Sequence, residues 1–396
     1  MTWNPTPHQS LTFYPFDAGA ALHRKGSLRL MVLNTTAATL WCMIDGTRDK
    51  SQLARDYGRR FGLEPEVAMR DVEIMLLDFA RQGLLSGNAM RNAAGAGTQG
   101  CEPCLQQITF CVAGCWFRLL CCHKELCAEW FQVATPLLGE PVPGEPVVEI
   151  LVLPDIEQPN HLLRLWCGQE NEFTVNGLRP ENVMPYLFYQ VFERVCAGKR
   201  KRVLLHAAVL ARNDRSVVFA APTGAGKSTL CAALCESGWE YLSDELAIID
   251  PQTMRVEPYA MPIGLKSASV GELADFLPGL GQKPVHLRND GRRMRYLMPS
   301  RVIPGGSLPV AALIFPHLRP GGPTGLNALD PLTALQKLAA TGSSDRPLLD
   351  ADIKTLLALA QRPAWELVFS DLKAAAEQLQ QLPLAEELRR ETETRR

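Results

Sequence analysis

The sequence predicts an α/β fold with more than one domain. Its 396 residues exceed the size of one ordinary core, and two or three domains are expected at that length. Between residues 203 and 250, apolar strand-like runs alternate with the helical run KSTLCAALCES, which is the α/β pattern. Hydrophobic residues make up 46% of the chain and charged residues 21%, which are the proportions of a globular protein.

Charge and hydropathy argue against two classes of partner. The formal net charge is -1, so no overall field attracts nucleic acid or an anionic membrane. No apolar run approaches the roughly 18 residues that span a bilayer. The start, MTWNPTPHQS, lacks a basic segment followed by an apolar stretch, as a secretory signal would have. We therefore expect a cytoplasmic protein with neither partner, while a homo-oligomer stays open.

Cysteines cluster in one part of the chain. CEPC has the C-x-x-C spacing of a zinc knuckle, but CVAGC does not repeat it. We favour buried thiols that pack as small hydrophobes, with a metal site as the alternative. The clustered residues are Cys101, Cys104, Cys111, Cys115, Cys121, Cys122 and Cys127.

The first 100 residues predict a small unit followed by a linker. Asn34 or Thr35 can N-cap the first helix, and Pro65 suits the first turn of the last one. Residues 88–104 are small and polar without periodicity, which indicates a linker. The predicted elements are a strand over 27–34, a helix over TTAATLWCMI, a turn at DGT, a helix over Ser51–Phe61 and a helix from about Pro65 to Gly83.

Beyond the linker, residues 105–385 predict a second domain. LQQITFCV, VVEILVL, VLLHAAVLA, SVVFAA and LAIID have the composition of strands. ENVMPYLFYQVFERVCA, PLTALQKLAAT and DIKTLLALAQ have the periodicity of helices. NDR, between VLLHAAVLA and SVVFAA, predicts a tight connection between two paired strands.

APTGAGKSTL, residues 221–230, predicts a phosphate-binding loop between a strand and a helix. Backbone N–H groups would wrap the β-phosphate, Lys227 would reach the β- and γ-oxygens, and the Ser228 hydroxyl would bind Mg²⁺. Ala221 replaces the first glycine of the usual pattern, which is acceptable if its φ stays negative. ATP, or another nucleoside triphosphate, and Mg²⁺ are the expected cofactors. The expected contacts are Thr223, Gly224, Ala225, Gly226, Lys227, Ser228 and Thr229.

An acidic pair, Asp244 and Glu245, follows the loop closely in YLSDELAIID. One carboxylate can hold Mg²⁺ while the other accepts the proton of an attacking hydroxyl. His206 lies in the apolar run LLHAAVL, where it is either a core histidine or a neighbour of the phosphates. Neither an LSGGQ loop nor an N-K-x-D motif is present, which argues against transporter-type ATPases and switch GTPases.

These residues together resemble a known kinase family. LLHAAVLARNDRSVVFAAPTGAGKSTLCAALCESGWEYLSDELAIID is similar to the catalytic core of HPr kinase/phosphorylase and its relatives, which resemble phosphoenolpyruvate carboxykinase in fold. The resemblance implies that Asp244 acts as base toward a serine hydroxyl, supported by His206. It implies that Ser228 shares Mg²⁺ with Asp244 or Glu245. MPIGLKSASVGEL resembles a further segment of these kinases, which makes Lys266 a candidate phosphate contact.

Residues 12–87 resemble the PqqD-like modules that recognise precursor peptides. The resemblance is carried by LRLMVLNTTAATLWCMIDGTRDKSQLARDYGRRFGLEPEVAMRDVEIMLLDFARQGLL. It implies a winged-helix-like fold that holds a leader peptide as an added strand at the edge Leu28–Asn34, facing the helix of Val67–Leu84. A DNA-binding winged helix is the alternative, but its basic stripe is missing because acids are interleaved with the bases. The bases are Arg48, Lys50, Arg55, Arg59 and Arg60.

Taken together, the sequence predicts an ATP-dependent kinase that phosphorylates a serine or threonine of a ribosomally made precursor peptide. The front module would capture the leader and keep the peptide near Lys227 and Asp244. Two alternatives stay open: a nucleotide-gated peptide-binding or chaperone protein without phosphate transfer, and a small-molecule kinase.

Overall fold

The structure is a computed structural model, and the residues it describes leave gaps at several places. Cys101, Cys104 and Thr223 lie outside the described residues, as do the whole predicted linker and the tail from residue 383. The described ranges are 4–9, 11–16, 19–24, 30–81, 84–86, 105–155, 158–159, 161–168, 173–222, 224–341 and 349–382.

Strands are spread along the whole described chain. They are β1 (Thr6–Pro7), β2 (Leu11–Phe16), β3 (Gly19–Arg24), β4 (Leu30–Asn34), β5 (Leu85–Ser86), β6 (Gln106–Val112), β7 (Cys115–Cys121), β8 (Val147–Pro154), β9 (Leu163–Cys167), β10 (Phe173–Leu178), β11 (Val203–Leu205), β12 (Ala207–Arg212), β13 (Arg215–Ala220), β14 (Glu240–Ser243), β15 (Ala247–Ile249), β16 (Arg255–Glu257), β17 (Ile263–Lys266), β18 (His286–Leu287), β19 (Arg293–Leu297), β20 (Leu308–Leu318), β21 (Gly325–Ala328) and β22 (Ala364–Phe369).

Helices confirm most of the predicted periodic segments to within a few residues. They are α1 (Thr35–Met43), α2 (Lys50–Phe61), α3 (Pro65–Arg81), α4 (Lys124–Ala134), α5 (Pro180–Gly198), α6 (Lys227–Glu236), α7 (Ser269–Glu272), α8 (Pro331–Thr341), α9 (Asp350–Ala360) and α10 (Leu372–Gln380). Within the described ranges, every helix is too short or too polar to cross a lipid bilayer.

The chain divides into two compact units. The first comprises residues 1–105, 121–123 and 150–180, and the second comprises 106–120, 124–149 and 181–396. In the first unit, β2, β3 and β4 form an antiparallel sheet, with Gly19 paired to Phe16 on one side and to Asn34 on the other. The sequence predicted only the last of these strands, and Pro15 weakens the strand pattern of β2.

Helices α1 to α3 complete the core of this first unit. Asn34 N-caps α1 as predicted, since its side chain accepts a hydrogen bond from the Ala37 amide at 2.9 Å. Trp41 and Phe79 pack edge to face at 5.4 Å inside the apolar cluster. The last helix, α3, also packs against β10, which pairs with β9 in the same unit.

The second unit is built on a mixed sheet, which confirms the α/β class. Its strand order is β11-β15-β16-β20-β13-β12-β14, with β22 paired to β20 and β21 paired to β22. The pairs β13–β20 and β20–β22 are parallel, whereas β12 pairs antiparallel with both β13 and β14. One continuous apolar cluster joins this sheet to α8 and α9. The parallel strand β13 leads directly into residues 221–230.

Two local features of this sheet position the candidate site. Asn213 and Asp214 have φ of +54° and +57°, so they form the predicted tight turn between β12 and β13. The prediction of one continuous strand over VLLHAAVLA is wrong, because the chain changes partners at His206. Strand β11 pairs with β15, whereas β12 pairs with β13 and β14. His206 therefore lies at a break between two strands.

Candidate functional site

Two glycines shape the loop between β13 and α6. Gly224 and Gly226 have φ of +94° and +85°, where a side chain would be strained. The Ala225 amide donates to the carbonyl of Pro222 at 3.3 Å, which closes a turn in the described part of the loop. Gly226 is the N-cap residue of α6, so the loop ends at the amino terminus of a helix. That end carries free N–H groups and a positive dipole, which suit an anion.

Lys227 is buried and turned back onto this loop. Its Nζ donates to the carbonyl of Ala221 at 2.5 Å and approaches that of Pro222 at 3.4 Å. Burial lowers the pKa of the Lys227 ammonium, while the nearby charges of Asp244 and Glu245 oppose that change. The ammonium thus lies within the loop and within electrostatic reach of both acids.

Asp244 is a buried acid beside the start of α6. Its carboxyl is 6% exposed, and within the described residues its Oδ1 has no hydrogen-bond partner. Burial, and then the charge of Glu245, raise the pKa of Asp244 to about 7. The Ser228 hydroxyl, the Lys227 charge and the Gly264 amide act in the opposite direction. Asp244 therefore exchanges a proton near neutral pH and has a carboxylate oxygen free for a ligand.

A serine turn gives the two neighbouring acids different surroundings. Ser243 is fully buried at the end of β14, and its Oγ accepts hydrogen bonds from the amides of Glu245 and Leu246 at 3.3 and 3.0 Å. Asp244 is buried, whereas the Glu245 side chain is 58% exposed. Ser243 was not predicted as a site residue, although a serine just before an acidic pair is a known turn former.

His206 contacts this turn from the break between β11 and β12. Its side chain is 34% exposed, and its Nδ1 lies 3.2 Å from the carbonyl oxygen of Glu245. The same Nδ1 lies 3.5 Å from Oε1 of Glu245. The imidazole therefore contacts Glu245 of the acidic pair, and its support of Asp244 stays a prediction.

Thr229 and Lys266 belong to an adjacent part of the site. The Thr229 side chain is buried, and its Oγ1 is 3.1 Å from Oγ of Ser269 at the start of α7. Lys266, at the end of β17, is exposed and close enough for its charge to lower the pKa of Lys227. Thr229 thus links the helix of the loop to the segment that carries Lys266, a connection that the sequence did not reveal.

The oxygen donors of this cluster fit a hard divalent cation. The free Oδ1 of Asp244, the Ser228 hydroxyl beside it and the exposed Glu245 carboxylate are ligands of the type that Mg²⁺ prefers. Within the described ranges, no three His, Cys, Asp or Glu side chains are grouped to hold a metal by themselves. Mg²⁺ in nucleotide sites commonly takes a few protein oxygens together with oxygens of the bound phosphates.

The described members of the cysteine cluster differ in burial. Cys121 and Cys127 are buried, and Cys111, Cys115 and Cys122 are half-buried. Ala113 and Gly114, both with positive φ, form the turn that joins β6 to β7, so CVAGC is a hairpin and not a continuous strand.

Comparisons with known proteins show one family match and a similarity to solved structures. Residues 22–85 match the protein family described as Coenzyme PQQ synthesis protein D (PqqD), which confirms the resemblance of that segment. Among solved structures, a similar chain is the Hpr(Ser) kinase/phosphatase from Coxiella burnetii, 13% identical over 48% of this chain and 98% of that chain, with a TM-score of 0.22. That score is too low to establish a common fold. No curated protein matches this chain.

Proposed function

We propose that this protein is an ATP- and Mg²⁺-dependent kinase that phosphorylates a serine or threonine hydroxyl of a ribosomally made precursor peptide. The observation that carries the proposal is the buried Asp244 carboxyl, with a free Oδ1 and a pKa of about 7, beside Lys227 and Ser228. A carboxyl that titrates near the working pH is suited to general-base catalysis.

The loop supports nucleotide binding in this proposal. Amides from Gly224 to Ser228 surround the β-phosphate, and Lys227 leaves the carbonyl of Ala221 to contact the β- and γ-oxygens. Lys266 approaches the phosphates from the end of β17. Thr223 stays a proposed contact, although it lies outside the described residues. Thr229 supports the loop through Ser269.

Ser228 would hold Mg²⁺ together with Asp244 or Glu245. The cation, when bound, neutralises charge on the phosphates and draws electrons from the bond that breaks. All of these candidate ligands are oxygens, and both acidic candidates lie on the turn that Ser243 fixes.

The transfer step uses the residues around that turn. The substrate hydroxyl oxygen forms a bond to the γ-phosphorus, and its proton passes to the Asp244 carboxylate. The bond between the γ-phosphorus and the oxygen shared with the β-phosphate breaks, so ADP leaves with that electron pair. His206, in contact with Glu245, supports the acidic turn.

The front of the chain supports a peptide as the substrate. Residues 22–85 match the PqqD family, and among the described residues β4 is an edge strand of the sheet β2-β3-β4, whereas Leu28 of the predicted edge lies outside them. An unpaired edge can accept an extended peptide through main-chain hydrogen bonds. We propose that the leader of the precursor binds there, beside α3.

Mass spectrometry tests the proposal. The full chain is incubated with Mg-ATP and each short peptide encoded next to its gene, and we expect a gain of one phosphate group on one of them. The Asp244→Asn variant should abolish transfer and still bind ATP, whereas Lys227→Ala should weaken ATP binding itself.

The alternatives give different results in this experiment. Peptide binding that responds to ATP without any phosphate gain would favour the nucleotide-gated binding protein. Phosphate transfer to a small molecule, with no peptide affinity, would favour the small-molecule kinase. Transfer by the Asp244→Asn variant at the wild-type rate would remove Asp244 from its proposed role.

A further inference from the structure

The hydrogen-bond partners of His206 determine which ring nitrogen carries the hydrogen. Its Nδ1 lies 3.2 Å from the carbonyl oxygen of Glu245 and 3.5 Å from Oε1 of the same residue. A carbonyl oxygen only accepts hydrogen bonds, as does an ionised carboxylate. Nδ1 must therefore be the donor, and in the neutral ring Nε2 keeps the lone pair.

The carbonyl of Glu245 is held in place by Ser243. The serine Oγ accepts hydrogen bonds from the amides of Glu245 and Leu246, and this fixes the backbone on both sides of that carbonyl. Ser243 is fully buried, so water does not compete for its hydroxyl. The Ser243 side chain thus sets the position of the Glu245 carbonyl, which His206 contacts.

We infer that Ser243 is a positioning residue that holds neutral His206 as the Nδ1–H tautomer and leaves Nε2 as the hydrogen-bond acceptor of the site. No described residue makes a hydrogen bond with Nε2, and the ring is 34% exposed, so a ligand can reach it. If the proposed kinase activity holds, an N–H of the bound peptide donates to Nε2 and is oriented by it, while the proton of the substrate hydroxyl still passes to Asp244. The tautomer itself does not depend on that activity.

Nitrogen NMR of the full chain, labelled only in its histidines, tests the inference directly. At about pH 8 most histidines are neutral, and long-range correlations distinguish the two ring nitrogens. The His206→Gln variant identifies the signals of His206 by their loss. We expect a protonated Nδ1 and an unprotonated Nε2 at His206. A neutral His206 with hydrogen on Nε2 would overturn the inference.

Substitutions separate the role of Ser243 from that of the Glu245 carboxylate. Ser243→Ala should release the turn, so that His206 shows a mixture of both tautomers. Glu245→Ala keeps the carbonyl and should keep the Nδ1–H tautomer. Ser216→Ala is the matched control, because Ser216 is equally buried but donates to the Pro309 carbonyl on another strand. An unchanged tautomer in Ser243→Ala, or a changed one in Glu245→Ala, would contradict the inference.

Kinetics supply a second readout if phosphate transfer is found. Ser243→Ala should lower kcat by about tenfold to a hundredfold, because Nε2 of His206 is then no longer held as the acceptor. KM for ATP should stay nearly unchanged. A rise in KM at constant kcat would overturn the positioning role. Absence of transfer in the wild type would refute the proposed function alone, because the NMR result stands independently.

Discussion

Asp244 is buried, and its pKa is raised from 3.8 to about 7, chiefly by that burial. Between these two values the folded protein binds a proton that the unfolded chain has released. The free energy of unfolding therefore falls as pH rises from about 4 to about 7, and the loss is complete above pH 7. Its upper limit is about 4 kcal/mol. The residue that we propose for catalysis thus weakens the fold at neutral pH.

Asp244→Asn should therefore stabilise the unliganded protein. The amide cannot ionise, so the midpoint of thermal unfolding should rise at pH 8 and stay nearly unchanged at pH 4. Asp330→Asn is the control, because Asp330 is an exposed acid whose pKa is lowered by hydrogen bonds with Thr333. An Asp244→Asn variant that melts at or below the wild-type temperature at pH 8 would show that ionised Asp244 does not destabilise the fold.

Ala221 is a second residue whose effect can be predicted. It is buried, and it is absent from the described non-glycine residues with positive φ, which are Ala113, Asn213, Asp214 and Met254. Its carbonyl, not its side chain, contacts Lys227. Ala221→Gly should therefore leave ATP affinity within about twofold, and its extra backbone freedom should cost about 0.5–1 kcal/mol of stability. Calorimetric titration with Mg-ATP measures the affinity. A large gain in affinity would show that alanine at this position weakens nucleotide binding.

At the scale of elements, Arg212 on β12 fixes the end of α10. Its guanidinium donates to the carbonyls of Leu379, Gln380 and Leu382, and it lies 4.9 Å from the ring centroid of Trp239. Burial lowers the pKa of Arg212, which reflects its enclosed position. A planar group with several donors suits this end of a helix, where carbonyls lack partners.

Arg212→Lys should loosen α10 selectively. A single ammonium cannot reach carbonyls on both sides of the guanidinium, so about 1–3 kcal/mol of local stability should be lost. Hydrogen exchange of the α10 amides should accelerate about tenfold, while that of α6 changes less. Arg301→Lys is the control, because among the described residues the Arg301 side chain makes a single hydrogen bond, at 3.3 Å to the Gly238 carbonyl. Equal acceleration in both variants would contradict the special role of Arg212.

Sequence patterns predicted these elements unevenly, for physical reasons. Helices with strong periodicity or clear caps, such as α1 and α3, were found because their signals are local. The break at His206 was missed, because β11 and β12 differ only in their partners, which are distant in sequence. In the site, the residues of the loop and the acidic pair have recognisable spacing. Ser243 and Ser269 act through hydrogen bonds that only the folded chain reveals.

At the scale of the molecule, the first compact unit combines stretches that are distant in sequence. Residues 150–180 belong to it together with residues 1–105, and α3 packs against β10. A truncation between the predicted domains would therefore remove α3 from this unit. It would expose β10, the strand against which α3 packs. The predicted boundary at 88–104 lies outside the described residues and stays a prediction. Point variants test the PqqD-like segment, residues 12–87, without removing part of a compact unit.

Ile74→Asp should weaken binding of the leader peptide. Ile74 is an apolar side chain on α3 that is 59% exposed, and a charge there should repel an apolar peptide face. We expect about a tenfold loss in peptide affinity, measured by fluorescence anisotropy, with ATP affinity unchanged. Val142→Asp is the control, since Val142 is 66% exposed in the second unit. Equal peptide affinity in wild type and Ile74→Asp would remove this face of α3 from the leader site.

The raised pKa of Asp244 also affects the heat of ligand binding. At pH 7 about half of the molecules carry a proton on this carboxyl. A cation that needs the carboxylate form must expel that proton, so binding releases about half a proton to the buffer. The observed enthalpy should then differ between phosphate and Tris buffers, whose ionisation heats differ. Loading of the site would thereby respond to the acidity of the surrounding solution, even before any phosphate is transferred.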